Sequence, residues 1–152
     1  VEAFNQLDRP LLIFGDGRDR AGLQAKAGRN VTFLGRVSWD RLVDLFQHCR
    51  DSRHPGQEDF GVPPPAAQPA GRPVLPYARD GALDTVIDGA TGLLFRQQTA
   101  RALVEAVQTF ESMAFSPAAC RANAERFAVE RFRRELMNYV EARVVEHAER
   151  NP

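Results

Sequence analysis

Short, mostly apolar runs alternate with longer amphipathic stretches along this chain of 152 residues. Runs of about four residues that end at glycine or proline predict buried strands. The predicted strands lie at residues 11–14, 31–34, 74–77 and 92–95. Apolar residues spaced three and four positions apart predict helices. The predicted helices lie at residues 19–27, 38–49, from 99 onward and about 129–150. Strands that alternate with helices are typical of an α/β domain with a parallel sheet flanked by helices on both faces.

Each predicted helix has an apolar face that we expect to pack inward. The helix after Thr99 presents Leu103, Val104, Val107 and Phe110. The last helix presents Phe132, Leu136, Tyr139, Val140 and Val144. Trp39 follows Ser38, a good N-cap residue, and is expected to pack at the helix start. Val1, Phe4 and Leu7 form one stripe of a helix without a cap, so we expect further chain before Val1 in the full protein.

Residues 51–69 interrupt the alternating pattern. An alternating fold needs a buried strand after the helix that ends near Cys49, but the chain has Asp51-Ser52-Arg53-His54 there. Buried polar groups need partners, and the same segment holds half of the prolines. We therefore expect either a loop or a weak place in the sheet, and residues 51–69 should be the least regular part of the domain.

Composition narrows the class of protein. The length fits a single domain, residues 1–152. Lys plus Arg is 20 and Asp plus Glu is 20, and this balance argues against a nucleic-acid or general membrane-surface binder. No apolar run approaches the ~20 residues of a membrane span. Cys49 and Cys120 are expected to be reduced packing residues of a cytoplasmic protein, and the histidines lack metal-ligand spacing.

Two local patterns suggest other chemistries and carry little weight. Gly15-Asp16-Gly17-Arg18-Asp19-Arg20 begins like a dinucleotide-binding loop, but Arg20 replaces the third glycine. Ser52 and His54 with Asp51 suggest a hydrolytic set. Triad members come from separate elements of a fold, and these three crowd one short segment, so His54 is interpreted as a surface residue.

Five ordered segments together resemble one protein family. These segments are Phe14-Gly15-Asp16-Gly17, Val31 to Val37, Pro55-Gly56-Gln57-Glu58-Asp59-Phe60-Gly61, Ala70-Gly71-Arg72-Pro73-Val74, and Gly81 to Phe95. Their order and spacing resemble the C-terminal, donor-binding domain of the group 1, or family four, retaining glycosyltransferases. The resemblance implies a Rossmann-like domain, the C-terminal half of a GT-B fold.

The resemblance also implies roles for individual residues. Glu58, the first signature Glu, would contact the donor sugar as the catalytic-site residue, and the amides of Phe60, Gly61 and Val62 would face the sugar and diphosphate. Gly35, Arg36 and Val37 would lie against the nucleotide base. The family's second Glu, which holds the ribose, falls at Ala66. Pro63, Pro64 and Pro65 lack the N–H groups that such a site uses.

The expected function follows from these matches and departures. The resemblance implies a nucleotide-diphosphate sugar as donor, with no cofactor and no obligatory metal. The family's first strand, its diphosphate-binding cations and its N-terminal acceptor domain, which can serve a peripheral membrane acceptor, would all precede Val1. We expect the isolated chain to be inactive. The alternative is a non-catalytic, degenerate remnant or assembly domain that binds no donor, and a dinucleotide oxidoreductase is a distant third.

Overall fold

The computed structural model describes residues 1–57, 59 and 66–150. The described residues form four strands: β1 (Leu11–Phe14), β2 (Val31–Gly35), β3 (Ser52–His54) and β4 (Val74–Pro76). The helices are α1 (Glu2–Gln6), α2 (Arg20–Ala25), α3 (Trp39–His48), α4 (Gly81–Thr85), α5 (Ala100–Glu111), α6 (Pro117–Glu125) and α7 (Val129–Arg150), with a 3-10 turn at Gln68–Ala70. The alternation that the sequence predicts is therefore present over most of the chain.

Side-chain caps fix the starts of three helices as the sequence predicts. Ser38 accepts a hydrogen bond from the Arg41 amide at 3.3 Å, and Thr99 accepts one from the Ala102 amide at 3.2 Å. Ser116 caps α6 in the same way, with Pro117 at the first helical position, where its missing N–H costs nothing. These caps satisfy amides that have no partner within their own helix.

All strand pairs are parallel. β1 pairs with β2, Leu11 lying opposite Val31, and β3 pairs with β4, Ser52 lying opposite Val74. Residues 92–95 were predicted to be a strand, and they contribute single bridges from Gly92 to Val74 and from Phe95 to Tyr77. Gly92 is required there because an added Cβ would lie 2.1 Å from the Val74 carbonyl oxygen.

Two apolar clusters lie on opposite faces of the strands. The larger one joins α1, β2, β4 and α5 through Phe4, Val31, Leu75, Val107 and Phe110, with Leu11 and Ile13 packed against it. The smaller one joins α3 to β4 through Phe46 and Val74. The prediction that α5 packs with its Leu103–Phe110 stripe inward is confirmed, since Val107 and Phe110 are buried and Leu103 and Val104 pack at the edge of the larger cluster.

Of the two alternatives expected for Asp51 to His54, a loop or a weak place in the sheet, the loop is wrong: residues 52–54 form β3, and Ser52 is buried. Neighbouring side chains supply partners for most of the buried polar groups, although Asp51 Oδ1 and Arg53 Nε are buried without a hydrogen-bond partner. Asp51 and Arg53 form an ion pair at 2.9 Å, and Ser52 Oγ lies 2.9 Å from His54 Nε2. His54 is consequently a half-buried strand residue, and its interpretation as a surface residue is also wrong.

Two predictions about how helix side chains pack are wrong. Trp39 is 73% exposed, so it does not pack at the start of α3. The α7 stripe is exposed between 45 and 63%, and it comprises Phe132, Leu136, Tyr139, Val140 and Val144. The spacing of that stripe is correct for an amphipathic helix, but no residue of α7 is buried against the described chain. Periodicity identifies an apolar face and does not show what covers it.

Candidate functional site

The carboxyl ends of the four strands meet at one edge. Only three residues separate β2 from α3, and three more separate α3 from β3. Such short connections make the helix run antiparallel to both strands, so β2 and β3 point the same way. Ligands of open parallel sheets bind outside this end of the strands. The segments that follow the strands, at residues 15–20, 35–37, 55–57 and 77–81, are called the carboxyl edge here.

Two glycines bring the loops after β1 and β2 together. The Gly15 amide donates to the Gly35 carbonyl oxygen at 2.7 Å, and both residues have positive φ, 103° and 69°. A Cβ on Gly35 would also lie 3.2 Å from Arg20 Nη1. The register shift between Ile13 and Phe14 accommodates this junction. An added Cβ on Gly15 would meet nothing within 4 Å, so the backbone after β1 is open to an approaching ligand, whereas the Arg20 guanidinium covers Gly35.

Arg20 is a cation of the carboxyl edge that sequence reasoning missed. Its guanidinium lies against Gly35, as the Cβ distance shows, and 3.7 Å from the Asp16 carboxylate. In the sequence, Arg20 was considered only as the residue that replaces the third glycine of a dinucleotide-binding loop. Its position between two glycine-rich strand ends was the available signal, because such turns commonly bind anions.

The loops after β3 and β4 are joined by side chains. Gln57 Nε2 donates to Asp80 Oδ2, and Gln98 Nε2 donates to the Pro55 carbonyl oxygen at 2.8 Å. Asp80 has φ 46°, and it is the one positive-φ residue other than glycine among the described residues. A conformation of this kind costs of order 1–3 kcal/mol and is concentrated at functional sites. Asp80 also adds a carboxylate to the edge.

The polar strand β3 lies under this edge. Burial lowers the pKa of His54 to about 4, so its imidazole is neutral at pH 7. Burial also raises the pKa of the Asp51 carboxyl, while Arg53 opposes that rise. The Arg53 guanidinium stacks 4.7 Å above the Phe4 ring. This cation–π contact links β3 to α1.

The structure describes some of the predicted site residues and leaves others outside the described residues. Gly35 is buried, Arg36 is exposed and Val37 is half-buried, and all three follow β2 at the carboxyl edge. Ala66 is exposed, and the adjoining Ala67 is fully buried. Glu58, Phe60, Gly61, Val62 and the three prolines at 63–65 lie outside the described residues, so the roles that the resemblance implies for them stay predictions.

A buried polar network anchors the segment after Ala66. Asn123 Nδ2 donates to Gln68 Oε1 at 2.6 Å and to the Thr85 carbonyl oxygen at 2.8 Å. Gln68, Thr85 and Asn123 are all buried, so these bonds form in a low-dielectric interior where they hold geometry firmly. The network connects α6 to the 3-10 turn and to the end of α4.

Neither metal binding nor membrane insertion has a candidate element in the parts of the chain that the structure describes. There, no three His, Cys, Asp or Glu side chains gather in a way that could hold a metal ion. No described helix combines the length and the apolar character that crossing a membrane requires. Cys49 and Cys120 are free thiols, and burial raises the pKa of each.

The family model of the glycosyl transferases group 1 matches residues 1–127. Among solved structures, Anabaena Alr3699/HepE in complex with UDP-glucose is similar, with a TM-score of 0.80 and 21% identity over 93% of this chain and 43% of that one. Sucrose-phosphate synthase from Thermosynechococcus elongatus has a TM-score of 0.67 and 26% identity over 99% of this chain and 41% of that one. No curated protein matches.

A third similar structure is the apo form of the lipopolysaccharide outer core galactosyltransferase WaaB, with a TM-score of 0.77 and 19% identity over 93% of this chain and 44% of that one. The chain therefore spans less than half the length of these structures. The fold prediction, parallel strands flanked by helices in the manner of one GT-B half, is confirmed. The family resemblance that the five segments suggested is confirmed as well.

Proposed function

Because this chain belongs to the group 1 glycosyltransferase family, we propose that it is the donor-binding half of a retaining glycosyltransferase. The observation that carries the proposal is the family match across residues 1–127. The carboxyl edge, where the strands of this fold end, gives the donor a place to bind. The proposed donor is a nucleotide-diphosphate sugar. Similar Anabaena structures contain UDP or UDP-glucose, which supports a donor of this chemical class.

In this proposal the carboxyl edge holds the nucleotide end of the donor. The backbone at Gly35, Arg36 and Val37 receives the base, and Glu58 contacts the sugar. Arg20 is the cation of the described edge that lies between the two glycine loops, so it contributes charge toward the diphosphate. Ala66 offers no carboxylate to the ribose, and a missing charge-assisted bond lowers affinity by roughly 1.5–3 kcal/mol.

The proposed enzyme needs more than these 152 residues. An acceptor domain belongs to the remainder of a full-length protein, which we place in the cytoplasm with an acceptor at a membrane surface. Transfer requires both substrates in register, and this positioning can contribute roughly 7–11 kcal/mol to barrier lowering. The purified chain is therefore expected to bind donor weakly and to transfer no sugar. Detectable transfer from any nucleotide sugar would contradict this expectation.

The second candidate is a non-catalytic remnant that binds no donor. Two observations favour it: the exposed methyl group of Ala66 where the family places a ribose-binding Glu, and the Asp80 carboxylate in the loop after β4. A carboxylate beside a diphosphate repels it. Such a domain would retain the fold for assembly with other chains.

Ligand-dependent melting distinguishes the two candidates. The chain is heated with UDP, GDP, ADP and UDP-glucose at millimolar concentrations. A ligand at ten times its Kd adds about 1.4 kcal/mol, which raises the Tm by roughly 3–6 °C in a domain of this size. Arg20→Gln should abolish that rise, and Arg18→Gln, whose side chain is almost fully exposed, should preserve it. No rise with any nucleotide would favour the remnant.

A repaired variant tests whether residues 58–66 descend from a donor site. Ala66→Glu with Pro63→Ile and Pro65→Val restores a carboxylate and two amides, and the matched control carries the two proline changes alone. The regained bonds should tighten UDP binding at least tenfold, which corresponds to ~1.4 kcal/mol. Calorimetric titration compares the two variants. Equal, unmeasurable binding by two folded proteins would contradict the assignment of Ala66 to the ribose position.

A further inference from the structure

Helix α7 leaves apolar surface uncovered along most of its length. It has 22 residues, which correspond to about 33 Å of helix. Eight of its large apolar side chains are between 45 and 63% exposed, and none of its residues is buried against the described chain. A helix in water owes most of its stability to the packing of its apolar face. The α7 stripe is therefore a surface that a partner should cover.

The charges of α7 do not fit a membrane surface as that partner. Residues 129–150 include five Arg and five Glu, so the helix carries no basic excess. Helices that lie on membranes are instead rich in Lys and Arg on the polar face. Because the two signs of charge are equal in number, α7 is suited to a partner that also carries both signs.

The ion pairs within α7 leave opposite charges at its two ends. These pairs are Arg131–Glu135, Arg143–Glu146 and Arg150–Glu146. The other charged residues of the helix form no ion pair within the described chain. In the first half they are Glu130, Arg133 and Arg134, and in the second half they are Glu141 and Glu149. The remaining charge is thus net positive in the N-terminal half and net negative in the C-terminal half.

We propose that α7 pairs antiparallel with α7 of a second copy of this chain, with one α7 stripe packed on the other. Such a pairing sets the positive half of each helix beside the negative half of the other, whereas a parallel pairing sets like charges side by side. A two-fold contact is also closed, so it produces a dimer and not a filament. This inference is independent of the proposed donor.

The spacing of the stripe indicates the register of the two helices. One ridge of the stripe repeats every four residues and comprises Phe132, Leu136, Val140 and Val144. A two-fold axis at the centre of this ridge places Phe132 of one copy level with Val144 of the other. The same axis places Arg134 within one position of Glu141 of the other copy. Apolar packing and charge therefore favour the same register.

Sedimentation of the 152-residue chain between micromolar and millimolar concentrations should show a monomer in equilibrium with a dimer. Val140→Arg should weaken the dimer at least about a hundredfold, because it brings two uncompensated charges into the middle of the apolar contact. The matched control Val145→Arg adds the same charge on the opposite side of the helix, at a side chain that is 57% exposed, and should change the affinity less than about threefold. Circular dichroism confirms that both variants are folded. A monomer at every concentration, or equal weakening by the two variants, would overturn the proposal.

Thiol cross-linking tests the orientation of the two helices. Chains with Phe132→Cys are mixed with chains with Val144→Cys and oxidised mildly, and disulfide-linked peptides are identified by mass spectrometry. Links between positions 132 and 144 should exceed same-position links at least about tenfold, because a disulfide requires Cα atoms within about 7 Å. A preference for same-position links would show a parallel pair and overturn the proposal. A monomeric chain that floats with phosphatidylglycerol vesicles would assign the face to a membrane and would also overturn it.

Discussion

β3 and β4 are neighbouring three-residue strands in the same parallel ladder, yet they are held in place by different forces. β4 is Val74-Leu75-Pro76, and all three side chains are fully buried in apolar surroundings. β3 is Ser52-Arg53-His54, and its side chains are partnered in two polar pairs. The ladder between them is regular in register.

This difference shows that a strand can be specified by apolar burial or by local polar satisfaction. Removing apolar surface from β4 costs transfer and cavity energy, whereas removing one member of a β3 pair leaves the other buried and unpaired. The two strands should therefore respond in opposite ways to apolar substitution. The following predictions test that contrast, beginning with the largest effect.

Truncation in β4 should have the largest effect. Leu75 is 0% exposed at the centre of the larger cluster, so Leu75→Ala should reduce the free energy of unfolding by about 3–4 kcal/mol. Leu83→Ala is the control, since that side chain is 53% exposed and its loss should stay within about 0.5 kcal/mol. Urea unfolding at pH 7 measures both. Similar losses for the two variants would mean that β4 is not held by apolar burial.

The ion pair of β3 should respond differently to single and double substitution. Asp51→Ala leaves the Arg53 guanidinium, whose side chain is 15% exposed, without its carboxylate, and should cost about 3 kcal/mol. Burial raises the pKa of Asp51 and lowers that of Arg53, so burial disfavours both charges. The double variant Asp51→Leu with Arg53→Met should therefore be as stable as the parent or more so. A double variant less stable than Asp51→Ala would show that the charges themselves hold the strand.

Acid should weaken the protein through β3 and leave the contribution of β4 unchanged. The pKa of His54 falls from 6.5 to about 4 on folding, so the unfolded chain binds the proton first as pH drops. Stability from this residue is complete above pH 6.5 and is lost between 6.5 and 4. The full loss is about 3–4 kcal/mol at ~1.4 kcal/mol per pKa unit.

The measurement is urea unfolding from pH 7.5 to 4 for the parent, His54→Gln and His48→Gln. The difference between parent and His54→Gln isolates this histidine from Asp51, whose raised pKa favours the folded state in acid. His54→Gln should flatten the pH profile, and the exposed control His48→Gln should follow the parent. Parallel profiles for the parent and His54→Gln would show that His54 titrates normally in the folded state.

The same contrast explains what the sequence predicted and what it did not. Apolar runs that end at glycine or proline predict β1, β2 and β4, because such a run marks a buried strand without knowledge of its neighbours. β3 was not predicted as a strand because its polar residues have partners two positions away, Asp51 with Arg53 and Ser52 with His54. Only the strand conformation places residues two positions apart on the same face, where they can form these pairs. The α7 stripe was predicted to be buried because periodicity carries no information about what covers a helix.

The resemblance fixed single positions such as Gly35, which the structure places at the carboxyl edge, and the role of Gly35 toward a nucleotide stays a prediction. Arg20 was not found, because its proximity to Gly35 depends on how two loops meet after different strands. Sequence spacing shows that both turns follow strands, but the 2.7 Å bond between Gly15 and Gly35 is a tertiary contact. The roles proposed for Glu58 and Ala66 depend on the family match and still require the binding experiments.

The smallest predicted effect concerns the neutral pair in β3. Ser52→Ala removes the hydroxyl that lies 2.9 Å from His54 Nε2 and should cost about 1 kcal/mol, because the ring nitrogen is left without a partner. Ser52→Val with His54→Leu removes both polar groups. If the two groups only supply each other's hydrogen-bond partner, this double variant should lose less free energy of unfolding than Ser52→Ala. Urea unfolding at pH 7.5, where His54 is neutral in both states, compares the two. A double variant that is less stable than Ser52→Ala would show that the Ser52–His54 contact contributes net stability beyond the cost of burying its two polar groups. β3 would then depend on polar residues in a way that β4 does not.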